Sequence, residues 1–106
     1  MTSVAGRAVR WVSDEPFPGC VEVQLTDVHG VVWSLFDKPP IFDGADPLTP
    51  DAAYPVDVQV SCEVIGREGL PDGAEVLTIS TRRPWGIETP DGRTEFQVNA
   101  NQVTTS

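Results

Sequence analysis

Apolar and polar residues alternate along much of this chain with a period of two, the signature of strands buried on one face. The alternation is organised around Val21–Phe36, VEVQLTDVHGVVWSLF, which reads as a β-hairpin turning at Asp27-Val28-His29-Gly30. Aspartate at the first turn position and glycine at the fourth fit a type I turn closed by a bulge. Gly30 would take the left-handed conformation that other residues avoid. That turn sets Asp27 opposite Val31, Leu25 opposite Trp33 and Val23 opposite Leu35. One face then carries Val21, Val23, Leu25, Val31, Trp33 and Leu35; the other carries Glu22, Gln24, Thr26, Val32, Ser34 and Phe36. Turn chemistry and alternation select the same register, and a one-residue slip would turn the apolar face outward. The outer face keeps Val32 and Phe36, which need a cover from the loop that follows or from a partner.

Upstream, Ala8-Val9-Arg10-Trp11-Val12 predicts a short strand with Val9 and Trp11 on one face, preceded by frayed residues 1–7. Ser13–Gly19 (SDEPFPG) is a loop, because two prolines and a glycine interrupt any regular ladder. Residues 37–55 predict a long irregular loop, holding five of the ten prolines. Pro39-Pro40 ends the hairpin strand. Ile41, Phe42, Leu48 and Tyr54 are spaced to fold back over an open barrel end, and Thr49 with Pro50 fits the start of a helical turn. A loop of this length either caps the core or binds something.

Val56–Ile65 (VDVQVSCEVI) predicts one antiparallel strand with Val56, Val58, Val60, Cys62 and Val64 inward. Gly66–Ala74 is its turn, tightest at Pro71-Asp72-Gly73, and Glu75–Thr81 returns. At Thr89-Pro90-Asp91-Gly92 two signals compete. Pro-Asp-Gly chemistry favours a bulged turn with Thr89 opposite Arg93. The apolar pattern favours a two-residue loop that sets Trp85 and Ile87 on the face of Thr94, Phe96 and Val98; it is preferred because burial ordinarily decides register. Trp85 would then join the inner face of the hairpin and Val56–Val64 in one core. Residues 99–106 are mostly polar and either add an edge strand around Val103 or fray. With no stretch of helical period and no internal repeat, the expectation is a single all-β domain over residues 1–106. Its architecture is a small antiparallel β-barrel of five to seven strands, with a two-sheet β-sandwich as the alternative.

Composition adds limits. A chain of 106 residues with 40% hydrophobic content can bury one core without staples. No run approaches the roughly 20 apolar residues that span a bilayer. The first residues lack an apolar signal core, so the expected setting is cytoplasmic and without membrane. Net charge is −9, and residues 13–63 hold ten acids against Lys38 alone. Such a field repels phosphates and argues against nucleic acid, keeps the protein soluble, and speeds association with a basic protein. Cys20 and Cys62 form no disulfide framework and are expected as reduced thiols, able to pair only if their strands are neighbours.

Catalytic chemistry is sparse. His29, the only histidine, is explained by the turn. One histidine and two cysteines do not furnish a four-ligand zinc site without carboxylates. The loop aspartates miss the spacing of a calcium loop, although Asp43 and Asp46 could hold a weak cation. No nucleophile elbow, dinucleotide fingerprint or phosphate loop occurs. No cofactor is expected and an enzyme is the third choice. What remains is Arg82-Arg83-Pro84-Trp85-Gly86, two arginines beside an indole on an acidic chain. Arginine forks grip carboxylate or phosphate, and Trp and Arg anchor interfaces. The candidate binding residues are Arg82, Arg83, Trp85, Phe36, Phe42 and Tyr54; the plainer reading has Trp85 sealing the core while the arginines pair with acids.

The combination RAVRW, PGCVEVQLTD-HG-VWSLFDKPPIF, YPV, CEV, RPWGIE and FQVN resembles a family of small uncharacterised all-β proteins from high-GC bacteria. One lysine against six arginines suits such a genome. The resemblance implies no activity, and no site residue carries over from it. The functional expectation is a non-enzymatic, acidic protein-interaction module, such as the antidote of a basic toxin, acting as monomer or homodimer. A small-ligand-binding barrel is the alternative.

Overall fold

The computed structural model describes residues 2–44 and 48–105. They form nine strands in two antiparallel sheets: β1 (Thr2–Ser13), β2 (Cys20–Thr26), β3 (Val32–Asp37), β4 (Phe42–Gly44), β5 (Val56–Ser61), β6 (Glu63–Gly69), β7 (Glu75–Ser80), β8 (Glu95–Asn99) and β9 (Val103–Thr105). The first sheet runs β3-β2-β1-β5-β4, with β9 added to β1, and the second runs β6-β7-β8. The chain is all-β, as expected, but among the described residues the sheets do not close into a barrel. Both sheets bury their inner faces in one core, which unites Val4, Val23, Leu25, Leu35, Val58 and Val60 with Leu77, Ile79, Phe96 and Val98. No described helix is long and apolar enough to cross a membrane.

The hairpin forms as its turn dictates. Leu25 pairs with Trp33 and Val23 with Leu35. The Asp27 amide donates to the Val31 carbonyl at 2.9 Å, and Gly30 has φ 78°. Val21, Val23, Leu25 and Leu35 are fully buried, whereas Val31 is exposed, because the inner face ends where the turn bends away.

The segment expected to fray is instead half of the central strand. β1 pairs with β5 over Ser3–Ala8, with β2 over Arg7–Ser13 and with β9 over Thr2–Val4. Val4 and Ala8 face inward without exposure. A Cβ on Gly6 would meet Val23 and Val60 at 3.1 Å, so close packing across β1 favours small side chains there. Low apolar content hid a strand whose partners supply the bulk.

The expected single strand Val56–Ile65 is two strands. Cys62 lies between β5 and β6, and its amide donates to the Thr2 carbonyl at 3.0 Å, which fixes the corner where the chain passes from one sheet to the other. This corner is one physical reason the barrel does not close: the ladder from β1 is handed to a second sheet. β6 also runs on through Gly66–Gly69, leaving the tight turn at Leu70–Ala74, where Gly73 has φ 87°.

Residues 37–44 and 48–55 are less irregular than their prolines imply. Pro39–Ile41 makes a 3-10 turn, and β4 pairs Phe42 with Val60. Because β3 and β4 lie on opposite edges of the sheet, this connection crosses it, burying Pro39 and Phe42. Ile41, Leu48 and Tyr54 pack against the core. Thr49 starts a turn, not a helix, with the Ala52 amide donating to its carbonyl at 3.2 Å.

The last turn follows its residue chemistry and not the apolar pattern. The Thr89 amide donates to Arg93 at 3.0 Å, setting them opposite each other, and Gly92 has φ 87°. The preferred two-residue loop is therefore corrected. Residues 81–94 are an excursion between β7 and β8, closed at its base by the Thr81 amide donating to Thr94 at 2.8 Å. Ile87 enters the core, so Trp85 is not needed there and stands 52% exposed.

Cys20 sits beside Ser13 and Cys62 follows Ser61, which pairs with Ser3. Ten residues of β1 separate these levels, about 33 Å at strand rise, far beyond disulfide reach. Both thiols are free, and burial pushes the Cys62 thiol up to about 11. Its folded pKa lies above the unfolded value of about 8.5, so its contribution is complete below that pH and lost as pH rises toward 11. Stability measured by urea unfolding should fall across this window, and Cys62→Ala should flatten the fall. Phe96→Ala should cost about 3–5 kcal/mol in the same assay at neutral pH.

Candidate functional site

Three places on the surface carry chemistry. The first is the hairpin tip. Asp27 is buried, and its carboxylate accepts from the His29 amide at 2.8 Å, the Val31 amide at 3.0 Å and the Trp33 indole Nε1 at 2.9 Å. The tip leans on β8: the Val28 amide donates to the Gln97 carbonyl at 2.8 Å, and His29 Nε2 lies 3.3 Å from Gln97 Oε1. Trp33 meets Phe96 with ring centroids 6.0 Å apart, and the Arg93 guanidinium lies 4.2 Å from the Trp33 ring centre. Asp27, His29, Arg93, Phe96 and Gln97 border, with Thr78 and Glu95, an open cleft of about 300 Å³. Burial opposes ionisation of Asp27, but hydrogen bonds from Trp33, Val31 and His29 outweigh it and hold the carboxyl below its usual range. His29 is thus spent on the turn and on Gln97.

The second place is the Arg82–Gly86 turn. The Gly86 amide donates to the Arg82 carbonyl at 2.8 Å and the Ile87 amide to the Thr81 carbonyl at 3.1 Å. The buried Thr81 hydroxyl donates to the Ile87 carbonyl at 2.6 Å. A fully buried base therefore holds out Arg82, Arg83 and Trp85, all exposed. The ion pairs among the described residues are Arg7–Asp57, Arg10–Glu22 and Arg67–Glu75, so the expected pairing of Arg82 and Arg83 with acids is not formed.

The third place is the loop between β1 and β2, which the pattern of alternation passed over. Phe17 is 92% exposed there, beside Asp14 and Glu15. The loop is braced: Trp11 Nε1 donates to Asp14 Oδ1 at 2.8 Å, the Ser13 hydroxyl donates to the Glu15 carbonyl at 2.7 Å, and the Gly19 amide donates to Pro16 at 2.8 Å. Gly19 has φ 109°, and a Cβ there would lie 2.5 Å from the Trp11 ring, so only glycine allows the loop to close on that indole. The signal in sequence was an aromatic between two prolines with no apolar neighbour to pair with.

The six candidate residues do not converge. Arg82, Arg83 and Trp85 share one turn. Phe36 is half-buried on β3 and shares a depression with Glu88, Thr89 and Pro90 of the excursion. Val32 stays 51% exposed. Phe42 belongs to the core, and Tyr54 packs on it while its hydroxyl donates to the Thr49 carbonyl at 2.7 Å. Asp43 faces an open depression with Asp57, whereas Asp46, its suggested partner for a cation, lies outside the described residues. No cluster of three metal-ligating side chains occurs among the described residues. Compared with known proteins, the chain matches no family model, no curated protein and no solved structure.

The folded pKa of Asp27 is depressed, so its stabilisation is complete above the unfolded value of about 4 and lost as pH falls through the folded value. Glu22, held low first by the Ser34 hydroxyl, and Asp91, held low first by Thr89, act in the same direction. Unfolding from pH 7 to pH 2 should show stability declining below about pH 4, and Asp27→Asn should make the decline shallower. Asp27→Ala at neutral pH should cost about 1–3 kcal/mol, because it leaves three partly buried donors without their acceptor.

Proposed function

We propose that this chain is a non-enzymatic protein-interaction module that docks a basic partner, with the Asp14–Phe17 loop at the contact. One observation carries the reading: an aromatic ring 92% exposed on a loop braced from three sides, two acids preceding it in the same loop, on a chain of net charge −9. A ring left in water on a rigid support gains about 1.5–3 kcal/mol when a pocket takes it. The support also lowers the entropy cost of capture. The acidic field steers a basic partner toward it, and such steering fades as salt shortens the Debye length from about 8 Å at 0.15 M to about 3 Å at 1 M. An antidote that neutralises a basic toxin in the cytoplasm fits this chemistry.

A small-ligand reading has one observation in its favour, the cleft of about 300 Å³ between the hairpin tip and β8. Of its two carboxylates, Asp27 already accepts from three donors while Glu95 lines the rim, and core side chains fill the space between the sheets, which leaves less for a ligand to grip.

Affinity capture from the host at low salt should retain a basic protein that is released in about 1 M salt. Phe17→Ala should weaken capture at least about tenfold, roughly 1.4 kcal/mol, with the fold unchanged. Capture that ignores both salt and Phe17→Ala would contradict the proposal.

A further inference from the structure

The Asp14–Phe17 loop and the Arg82–Trp85 turn are complementary in the same order: two charged residues, a proline and an aromatic. Asp14-Glu15-Pro16-Phe17 is acidic where Arg82-Arg83-Pro84-Trp85 is basic. Each is braced from below, the first by Trp11, Ser13 and Gly19 and the second by Thr81 and Ile87. Phe17 and Trp85 are 92% and 52% exposed. Among the described residues no ion pair joins the two within one chain, and Arg82 and Arg83 have no carboxylate within 4.0 Å.

We infer that the two loops bind each other between two copies of this chain. Asp14 and Glu15 of one copy receive the guanidinium forks of Arg82 and Arg83 of the other, and Phe17 lies against Trp85. Arginine suits this contact because its planar fork bonds a carboxylate in two places and its face stacks on aromatic rings. A twofold axis makes the contact twice and closes a dimer. Each copy carries −9, but at physiological ionic strength that repulsion is screened beyond about 8 Å, while the loop contact is local. The acidic surface of the second copy is what distinguishes this occupant from a free polyanion: its charge comes with a preformed aromatic knob that fits beside Trp85.

One consequence rests on the reading proposed above. The second copy would cover the loop that a basic partner uses, so self-association and partner binding compete. Self-association itself is measured without any partner, so the two proposals fail separately.

Sedimentation equilibrium near 0.15 M salt tests the inference. The wild-type mass should rise above 11.5 kDa as concentration increases toward about 1 mM. D14K/E15K and R82E/R83E should each remain monomeric, because each sets like charges against each other. Their equimolar mixture should associate, since the new lysines meet the new glutamates and the untouched loop meets the untouched turn. Circular dichroism and melting confirm that each variant is folded. Glu15→Lys alone, which keeps the Trp11–Asp14 bond, should weaken association about tenfold, as should Phe17→Ala. A wild-type mass fixed at 11.5 kDa overturns the inference, and so does a mixture that associates no better than its separate variants.

Discussion

The buried carboxylate of Asp27 is the interaction on which the rest of this structure depends. It closes the hairpin turn by accepting from His29 and Val31, and it orients Trp33 by accepting from its indole. Trp33 so placed reaches Phe96 in the second sheet and offers its face to Arg93. The same turn delivers Val28 to the Gln97 carbonyl. One side chain thus connects a local turn, the register of β2 with β3 and the joint between the sheets. A lost acceptor in such a network costs more than one bond, because three partly buried donors lose it together.

β1 is the complementary constraint. It carries three neighbours, and its small inward residues let β2 and β5 approach closely. The Gln102 side chain donates to the Thr26 carbonyl at 2.8 Å, joining the end of β2 to the segment that leads into β9. Two sheets, one corner at Cys62 and one joint at the hairpin tip enclose the core. That leaves the loops free of structural duty at their tips, which is why Phe17 and Trp85 can stand in water.

Much of this was legible in sequence where local chemistry and periodicity coincide. The β2–β3 register follows from Asp27 and Gly30 together with alternating valines and leucines. The long loop's return to the core follows from the spacing of Ile41, Phe42, Leu48 and Tyr54. The misreadings have physical causes. Val4, Gly6 and Ala8 look too weak for a central strand because the bulk that covers them belongs to Val23 and Val60. Cys62 fits perfect alternation, yet a backbone bond to Thr2 turns the chain there. At Thr89–Arg93 the turn overrode the apolar pattern because Ile87 alone supplies the burial that Trp85 was expected to share. Of the candidate residues, Arg82, Arg83 and Trp85 are exposed on one turn and Phe42 is core; Phe17 was not among them, hidden in a loop that alternation does not describe.

The central claim is that the hairpin tip welds the two sheets into one cooperative unit. Amide hydrogen exchange tests it most directly, since each amide reports the free energy of the opening that frees it. The Val28 and Val31 amides should exchange only with global unfolding, at the same free energy as the β1 and β7 amides. Exchange of Val28 and Val31 through a separate, lower-energy opening, with β1 and β7 still protected, would contradict the claim.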